Sequence, residues 1–180
     1  MGKLTNQDIY ERIYAAISER RLLPGTKLSE EKLALALHAS RTRVREVLLR
    51  LSQELIVETH PNRGAFVASP KAEDIQQVFA VRRALERAIA HELSSTNNPA
   101  QLTRLRQHLG LETAARAAHD HVGLARLTGD FHVLLAETTG NRLFTENMRR
   151  LVALTGLLIA QYSDDTHHAC PPDEHSAIVN

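Results

Sequence analysis

Apolar residues in the first third of the chain recur at helical spacing and are interrupted by turn formers. Ile9, Ile13 and Ile17 lie four apart and make one stripe. Pro24-Gly25 ends that run. Ser29 suits an N-cap, Glu30 and Glu31 suit the positive end of the helix behind it, and Leu33 and Leu37 give that helix an inner face. After a short break, Ser40 caps a third helix expected to run to about Glu54. Within it Val44, Val47, Leu48 and Leu51 fall in one arc of about 100°. Ile56 to Thr59 and Ala65 to Val67 then flank His60-Pro61-Asn62-Arg63-Gly64. Two β-prone runs around a Pro/Asn/Gly loop predict a hairpin. Two short helices in tandem followed by a hairpin make a winged helix-turn-helix.

Beyond Ser69-Pro70, a boundary and an expected helix start, only helical periodicity recurs. Ile75, Val78, Phe79, Leu85, Ile89 and Leu93 share one face. Ser94 to Pro99 is expected to be a loop. Leu102, Leu105 and Leu109 open the next helix, and Leu124, Leu127, Phe131, Leu134 and Leu135 mark another that ends near Gly140-Asn141. Leu143 to Ala160 is strongly apolar, Asp164 to Pro172 is a polar loop, and Asp173 to Asn180 begins a final helix. The pattern therefore predicts a mostly α chain: a winged helix-turn-helix over residues 1–69 and an antiparallel all-helical bundle over residues 70–180.

Composition narrows the classes. Leu151 to Ala160 is about half the length a bilayer span needs, and the first ten residues lack the basic and apolar regions of a leader. With a single cysteine, Cys170, no disulfide scaffold is available. Cytoplasmic location with no membrane partner is the expectation. The net charge of +1 hides an asymmetry. Residues 1–70 carry 11 Lys/Arg against 8 Asp/Glu, and residues 71–180 carry 11 against 13. Eight of the ten histidines lie in the second part, so a weakly basic reader precedes an acidic, His-rich part.

The third helix carries the first candidate chemistry. Arg41, Thr42, Arg43 and Arg45 cluster in its opening turn and a half, the end that reaches base edges and phosphates in a recognition helix. The arginine fork matches guanine O6 and N7 with two hydrogen bonds. Arg63 and Gly64 at the hairpin tip are candidates for the DNA backbone, because glycine permits close main-chain approach. In the helical part, Arg82 and Glu86 fall inside the apolar stripe. Burying an unpaired charge is costly. Two readings stay open: an Arg82–Glu86 pair at i, i+4 spacing, extended by another helix, or a fork that binds a carboxylate ligand.

The segment PGTKLSEEKLALALHASRTRVREVLLRLSQELIVETHPNRGAFV resembles the DNA-binding domain of GntR-family bacterial transcription regulators, a resemblance covering about residues 5–68. It implies DNA contacts by Arg41, Thr42, Arg45 and Gly64. Three positions depart from the family pattern: Arg43 stands where proline is usual, His38 where glycine is frequent, and Glu31 where many members carry a DNA-contacting arginine. The second part resembles the FCD effector domain of the FadR subfamily, through VRRALE (Arg82, Leu85, Glu86), GDFHVLLAETTGN (Phe131, His132, Asn141) and EHSAI (His175). This resemblance implies a divalent metal (zinc, nickel or manganese) held by one Asp and three His, and a small carboxylate effector bound by the metal and an arginine. His132 and His175 match two of the histidines, and Arg82 and Asn141 fall on the effector side. The aspartate position, four residues before His132, is Thr128. A neutral hydroxyl is a poor ligand for such a cation. Asp130 is a substitute that points about 160° away on a regular helix. The third histidine would fall about two dozen residues past His175, so the bundle is expected to be C-terminally short; His167 and His168 are candidate replacements. Without a metal, His132 and His175 are expected to face an empty or water-filled cavity.

The expectation is a homodimeric transcription regulator, a repressor, that reads a palindromic double-stranded operator under control of a small carboxylate metabolite. It is not expected to be an enzyme. Two alternatives remain: a constitutive DNA-binding module with a degenerate effector site, or a metal-dependent hydrolase using His132 and His175, for which no nucleophile–base pair is visible.

Overall fold

A computed structural model describes residues 4–96, 99–162 and 172–179. The chain divides into two compact units, residues 1–72 with 156–162, and residues 73–155 with 163–180. Each is described by itself.

The first unit begins with α1 (Asn6–Ser18), started by a capping box in which the Thr5 hydroxyl accepts from the Asp8 N–H and the Asp8 carboxylate accepts from the Thr5 N–H. The predicted stripe is buried: Ile9, Ile13 and Ile17 are all nearly inaccessible. The two-residue strand β1 (Lys27–Leu28) precedes α2 (Glu30–Ala36), capped by Ser29, and α3 (Arg41–Gln53), capped by Ser40. Between α2 and α3 the chain turns through His38 at φ 49°, with the Ala39 N–H bonding back to the Ala34 carbonyl and the His38 N–H to the Leu35 carbonyl. That is the helix ending that favours glycine, which explains why glycine is frequent at this position in the resemblance. The hairpin consists of β2 (Val57–His60) and β3 (Gly64–Val67), paired Val57 to Val67 through His60 to Gly64. Its tip turns at Asn62 (φ 59°) and Gly64 (φ 93°). Strand β1 adds on the other side of β3, giving the order β1-β3-β2.

The second unit holds α4 (Asp74–Thr96), α5 (Pro99–Ala117), α6 (His121–Thr138) and α8 (Pro172–Val179); α7 (Arg142–Tyr162) spans the division between the units. Its core gathers Ile89, Leu105, Phe131, Leu135, Ala136, Met148 and Val179. α5 packs on α6 and α8, and α4 packs on α6.

Several expected boundaries move. α4 starts at Asp74, not at Pro70, and runs through Ser94 and Ser95, which were expected to be loop. Both serine hydroxyls donate to the His91 carbonyl, so the helix itself satisfies the groups that otherwise favour a turn. α6 is unbroken at Gly129, where a Cβ would lie 3.0 Å from Val152 of α7. Close packing is the reason for that glycine. His167, His168 and Cys170 lie outside the described residues.

Candidate functional site

The first-turn residues of α3 divide into two kinds. Arg41, Thr42 and Arg45 are exposed, and the inner face of the helix (Val44, Val47, Leu48, Leu51) is fully buried, so the core fixes which side of α3 looks outward. Arg45 grips Glu30 with two hydrogen bonds, Nε to Oε1 and Nη2 to Oε2, both 2.8 Å. Arg41 lies 3.9 Å from the same carboxylate. The hydrogen bond from Arg45 lowers the Glu30 pKa, against a smaller opposing effect of burial. Glu30 thus orients Arg45 through two hydrogen bonds and attracts Arg41 without bonding it. Arg43 faces the other way, with Nε donating to Asn6 Oδ1 at 2.7 Å, while Asn6 donates to Glu46. It ties α3 to the start of α1.

At the hairpin, Arg63 and Gly64 are exposed at the tip. Phe66 is flanked by Arg63, whose guanidinium carbon is 5.6 Å from the ring centroid, by Lys27, whose Nζ is 5.9 Å away, and edge-on by His60 at 5.4 Å. Lys27 is a wing cation that the sequence pattern did not single out. It reaches the wing only because β1 pairs Lys27 with Phe66.

The second unit contains a buried polar chain across four helices. Arg82 donates through Nε to Glu86 Oε1 at 2.8 Å, and its side chain is only 12% exposed. The same Glu86 oxygen lies 2.8 Å from His132 Nδ1. His132 Nε2 is 3.3 Å from His175 Nε2. His175 Nδ1 is 3.0 Å from each oxygen of Glu112. His108 stands 3.6 Å from Glu112, and its Nε2 is 2.8 Å from the Leu127 carbonyl. His132, His175 and Glu112 are all buried. Phe131 stacks on the His175 ring at a centroid distance of 4.0 Å and an interplanar angle of 13°. Burial pushes the Glu86 carboxyl up, but the bonds from His132 and Arg82 outweigh it and bring the pKa down to about 2.

The i, i+4 pair exists and is extended by His132, yet among the described residues Arg82 is bonded to protein through Nε alone. His132 and His175 face one another rather than an empty cavity. Asn141 is engaged elsewhere: its Oδ1 accepts from the Leu143 and Phe144 N–H groups and caps α7. Sequence reasoning missed Glu112, whose position on α5 looks like an ordinary solvated charge.

The implied metal can be tested against this donor set. Two ligands of one tetrahedral ion, each at 2.0–2.1 Å, sit about 3.4 Å apart. The Nε2 atoms are 3.3 Å apart, and each imidazole has its Nδ1 against a carboxylate, the usual arrangement behind a metal-bound histidine. The two histidines alone match the spacing of two ligands, short of the three or four that a protein zinc site uses. Thr128 supplies no third, because its hydroxyl donates to the Ala125 carbonyl, and Asp130 is exposed. Among the described residues no group of three His, Cys, Asp or Glu side chains is assembled for a metal.

Comparison with known proteins bears on both units. Residues 5–67 match the family model for bacterial regulatory proteins of the gntR family, and residues 77–180 match the FCD domain model. The chain is 26% identical over 168 residues to the HTH-type transcriptional repressor RspR of Escherichia coli (strain K12), covering 93% of this chain and 72% of that protein. It is 29% identical over 154 residues to the HTH-type transcriptional regulator LutR of Bacillus subtilis (strain 168), covering 77% of this chain and 69% of that one. Among solved structures, a putative transcriptional regulator GntR from Rhodococcus sp. RHA1 superimposes with a TM-score of 0.78 at 28% identity, covering 96% of this chain and 83% of that chain.

Proposed function

The chain belongs to the GntR family of bacterial regulatory proteins and carries an FCD domain, and from that premise we propose that it is an effector-controlled repressor. A DNA-binding transcription regulator of this type reads operators with its winged helix. In our reading residues 1–69 form the reader, with Arg41, Thr42 and Arg45 on base edges and phosphates and with Arg63, Gly64 and Lys27 on the backbone beside the wing. Residues 70–180 sense the effector and carry the homodimer contact, and two readers one helical turn apart match a palindromic operator. The protein works in the cytoplasm, where its DNA is.

The observation that supports effector control is Arg82. A guanidinium buried to this degree and bonded, among the described residues, through Nε alone has donors left for an anion, and a carboxylate matches its fork. A small carboxylate there would sit at one end of the chain that leads through Glu86 to the histidine pair. A divalent cation, if bound, would be held by His132 and His175 and would supply Lewis-acid attraction for the effector's carboxylate. Binding would shift the population between dimers that fit the operator and dimers that do not.

A second reading has one observation in its favour. Thr128, with its hydroxyl turned to its own helix, removes a charged ligand that the resemblance implies, and a constitutive DNA-binding module would need no such ligand. An enzyme reading has nothing comparable, and it leaves the α3 arginines unexplained.

The experiment is an operator titration by fluorescence anisotropy with wild type, Arg41→Ala and Arg45→Ala, each with and without acetate, succinate or citrate. The proposal expects both variants to lose operator binding while remaining folded, and at least one carboxylate to release wild type. Unchanged affinity in both variants refutes the reader. Operator binding indifferent to every carboxylate favours the constitutive reading.

A further inference from the structure

Helix α3 is held from two sides. On the side of α1, Arg43 Nε donates to Asn6 Oδ1 at 2.7 Å and Asn6 donates to Glu46. Arg50 donates to Gln7 Oε1 at 2.8 Å, with its guanidinium carbon 4.0 Å from the Tyr10 ring centroid. On the side of α2, Arg45 bonds Glu30 and Arg41 lies near the same carboxylate. Between these flanks runs an open strip with Thr42, Leu49 and Gln53 along it and Arg45 at its edge, an arc of about 80° at helical spacing. All four side chains are exposed. Leu49 lies in the middle, about 20° from Thr42 and about 40° from Arg45. It is 58% exposed, so its own unit leaves most of the side chain uncovered. Every other exposed side chain of α3 is polar or charged. The strip therefore carries a single apolar point, one helical turn beyond a reading arginine.

We propose that Leu49 is a specificity-determining residue that packs on the C5-methyl group of an operator thymine. The proposal rests on the reading of α3 as the helix that enters the major groove, and it deepens that reading with a contact the arginine cluster does not supply. Leucine has no donor or acceptor, so it cannot read the hydrogen-bonding edge of a base. The alkyl group that the major groove displays is the thymine methyl. Against that methyl, both surfaces leave water and the contact is favourable. Against a polar base edge, Leu49 would strip water without replacing the lost hydrogen bonds, which is costly. The same side chain thus favours thymine and disfavours the alternatives. One turn of helix advances about 6 Å, and successive bases are about 3.4 Å apart, so Leu49 reaches one or two base pairs beyond the base that Arg45 meets. The cations on either side, Arg41 and Arg45, complement the phosphates that border the groove.

The test uses the full chain. Wild type enriches an operator from a random duplex pool. Fluorescence anisotropy then compares that duplex with copies in which one thymine at a time is replaced by deoxyuridine, which lacks only the C5-methyl group. Wild type should lose about 3- to 5-fold in affinity at one thymine of each half-site, the size expected for one buried methyl group. Leu49→Ala should bind the thymine operator about 3- to 10-fold more weakly and respond to that replacement by less than about twofold. Leu49→Met, similar in volume and apolar, should keep most of the response. Leu49→Gln should lose it, and circular dichroism melting checks that each variant is folded. Equal responses in wild type and Leu49→Ala overturn the proposal, and so does a wild type indifferent to deoxyuridine at every thymine. A response that vanishes in Thr42→Ser but persists in Leu49→Ala assigns the methyl contact to Thr42 and overturns it too. Arg45→Ala separates the two levels: unchanged operator affinity in that variant refutes the reader itself, whereas lost affinity beside a wild type indifferent to deoxyuridine leaves the reader standing and refutes the role of Leu49.

Discussion

Removing the charge of Glu86 is a direct probe of the buried chain. Glu86 is bonded to Arg82 and His132 at 2.8 Å each, and its pKa falls from the ordinary 4.5 to about 2. A depressed carboxylate stabilises the fold above its unfolded pKa, and that contribution disappears as pH falls through the folded value. A shift of this size corresponds to roughly 3 kcal/mol at pH 7 and about 1.5 kcal/mol at pH 3. These are upper values, since about a quarter of the side chain is exposed and solvent screens part of the field. Glu86→Gln preserves shape and some hydrogen bonding but leaves Arg82 without a counter-charge. Urea unfolding followed by circular dichroism should therefore show the variant unfolding about 1 to 1.5 M earlier at pH 7, taking a typical slope of about 2 kcal/mol/M. The gap should shrink by about half at pH 3. A gap below about 0.5 kcal/mol at pH 7, or one that does not change with pH, would refute the assignment of Glu86 as the ionised hub of the chain.

The other expectations concern each unit in turn. Glu30→Ala removes the carboxylate that grips Arg45 and also a negative charge near DNA; filter binding should show non-specific affinity rising, with the ratio of operator to random sequence falling about 5- to 10-fold. An unchanged ratio would show that the grip does not orient Arg45 for reading. Gly64→Ala meets no side chain closer than Lys27 Cε at 3.9 Å, but it places a Cβ at φ 93°, so it should cost about 1 kcal/mol in thermal unfolding and weaken operator binding. Arg82→Lys keeps the charge but loses the planar fork; calorimetry with a carboxylate that releases wild type from its operator should show affinity lower by tenfold or more, with operator affinity in the absence of that carboxylate unchanged. Equal carboxylate affinity in that variant would move the effector away from Arg82.

Local signals account for most of what was legible in the chain. The buried face of α3 followed from a period of 3.6, because four apolar side chains on one arc must turn inward whatever they pack against. Ser29 and Ser40 sit where a hydroxyl can accept from the first free N–H groups of a helix, and the structure uses both. The wing was legible from Pro61, Asn62 and Gly64. Strand β1 was not, since two residues carry no alternation and the pairing partner of Lys27 is 39 positions later. Ser94 and Ser95 misled for a definite reason: the same hydroxyls that favour turns can bond back to a helix carbonyl, and only the surroundings decide.

The candidate sites divide in the same way. Sequence alone determined that Arg41, Thr42 and Arg45 face outward, because they need only a helix with a fixed inner face to be presented so. It also offered the Arg82–Glu86 pair as one of two open readings, since i, i+4 spacing is local, and the structure forms that pair. Tertiary structure decided the rest. It placed His132 against His175 across 43 positions and Glu112 against His175 across 63, contacts that no periodicity encodes. It turned Asn141 into a helix cap and Asp130 outward, and it made an unremarkable glutamate on α5 the partner of a buried histidine. The physical reason is range: hydrogen bonds along a helix are fixed by its pitch, whereas the cost of a buried charge is met by whichever side chain the packing of other helices brings within 3 Å.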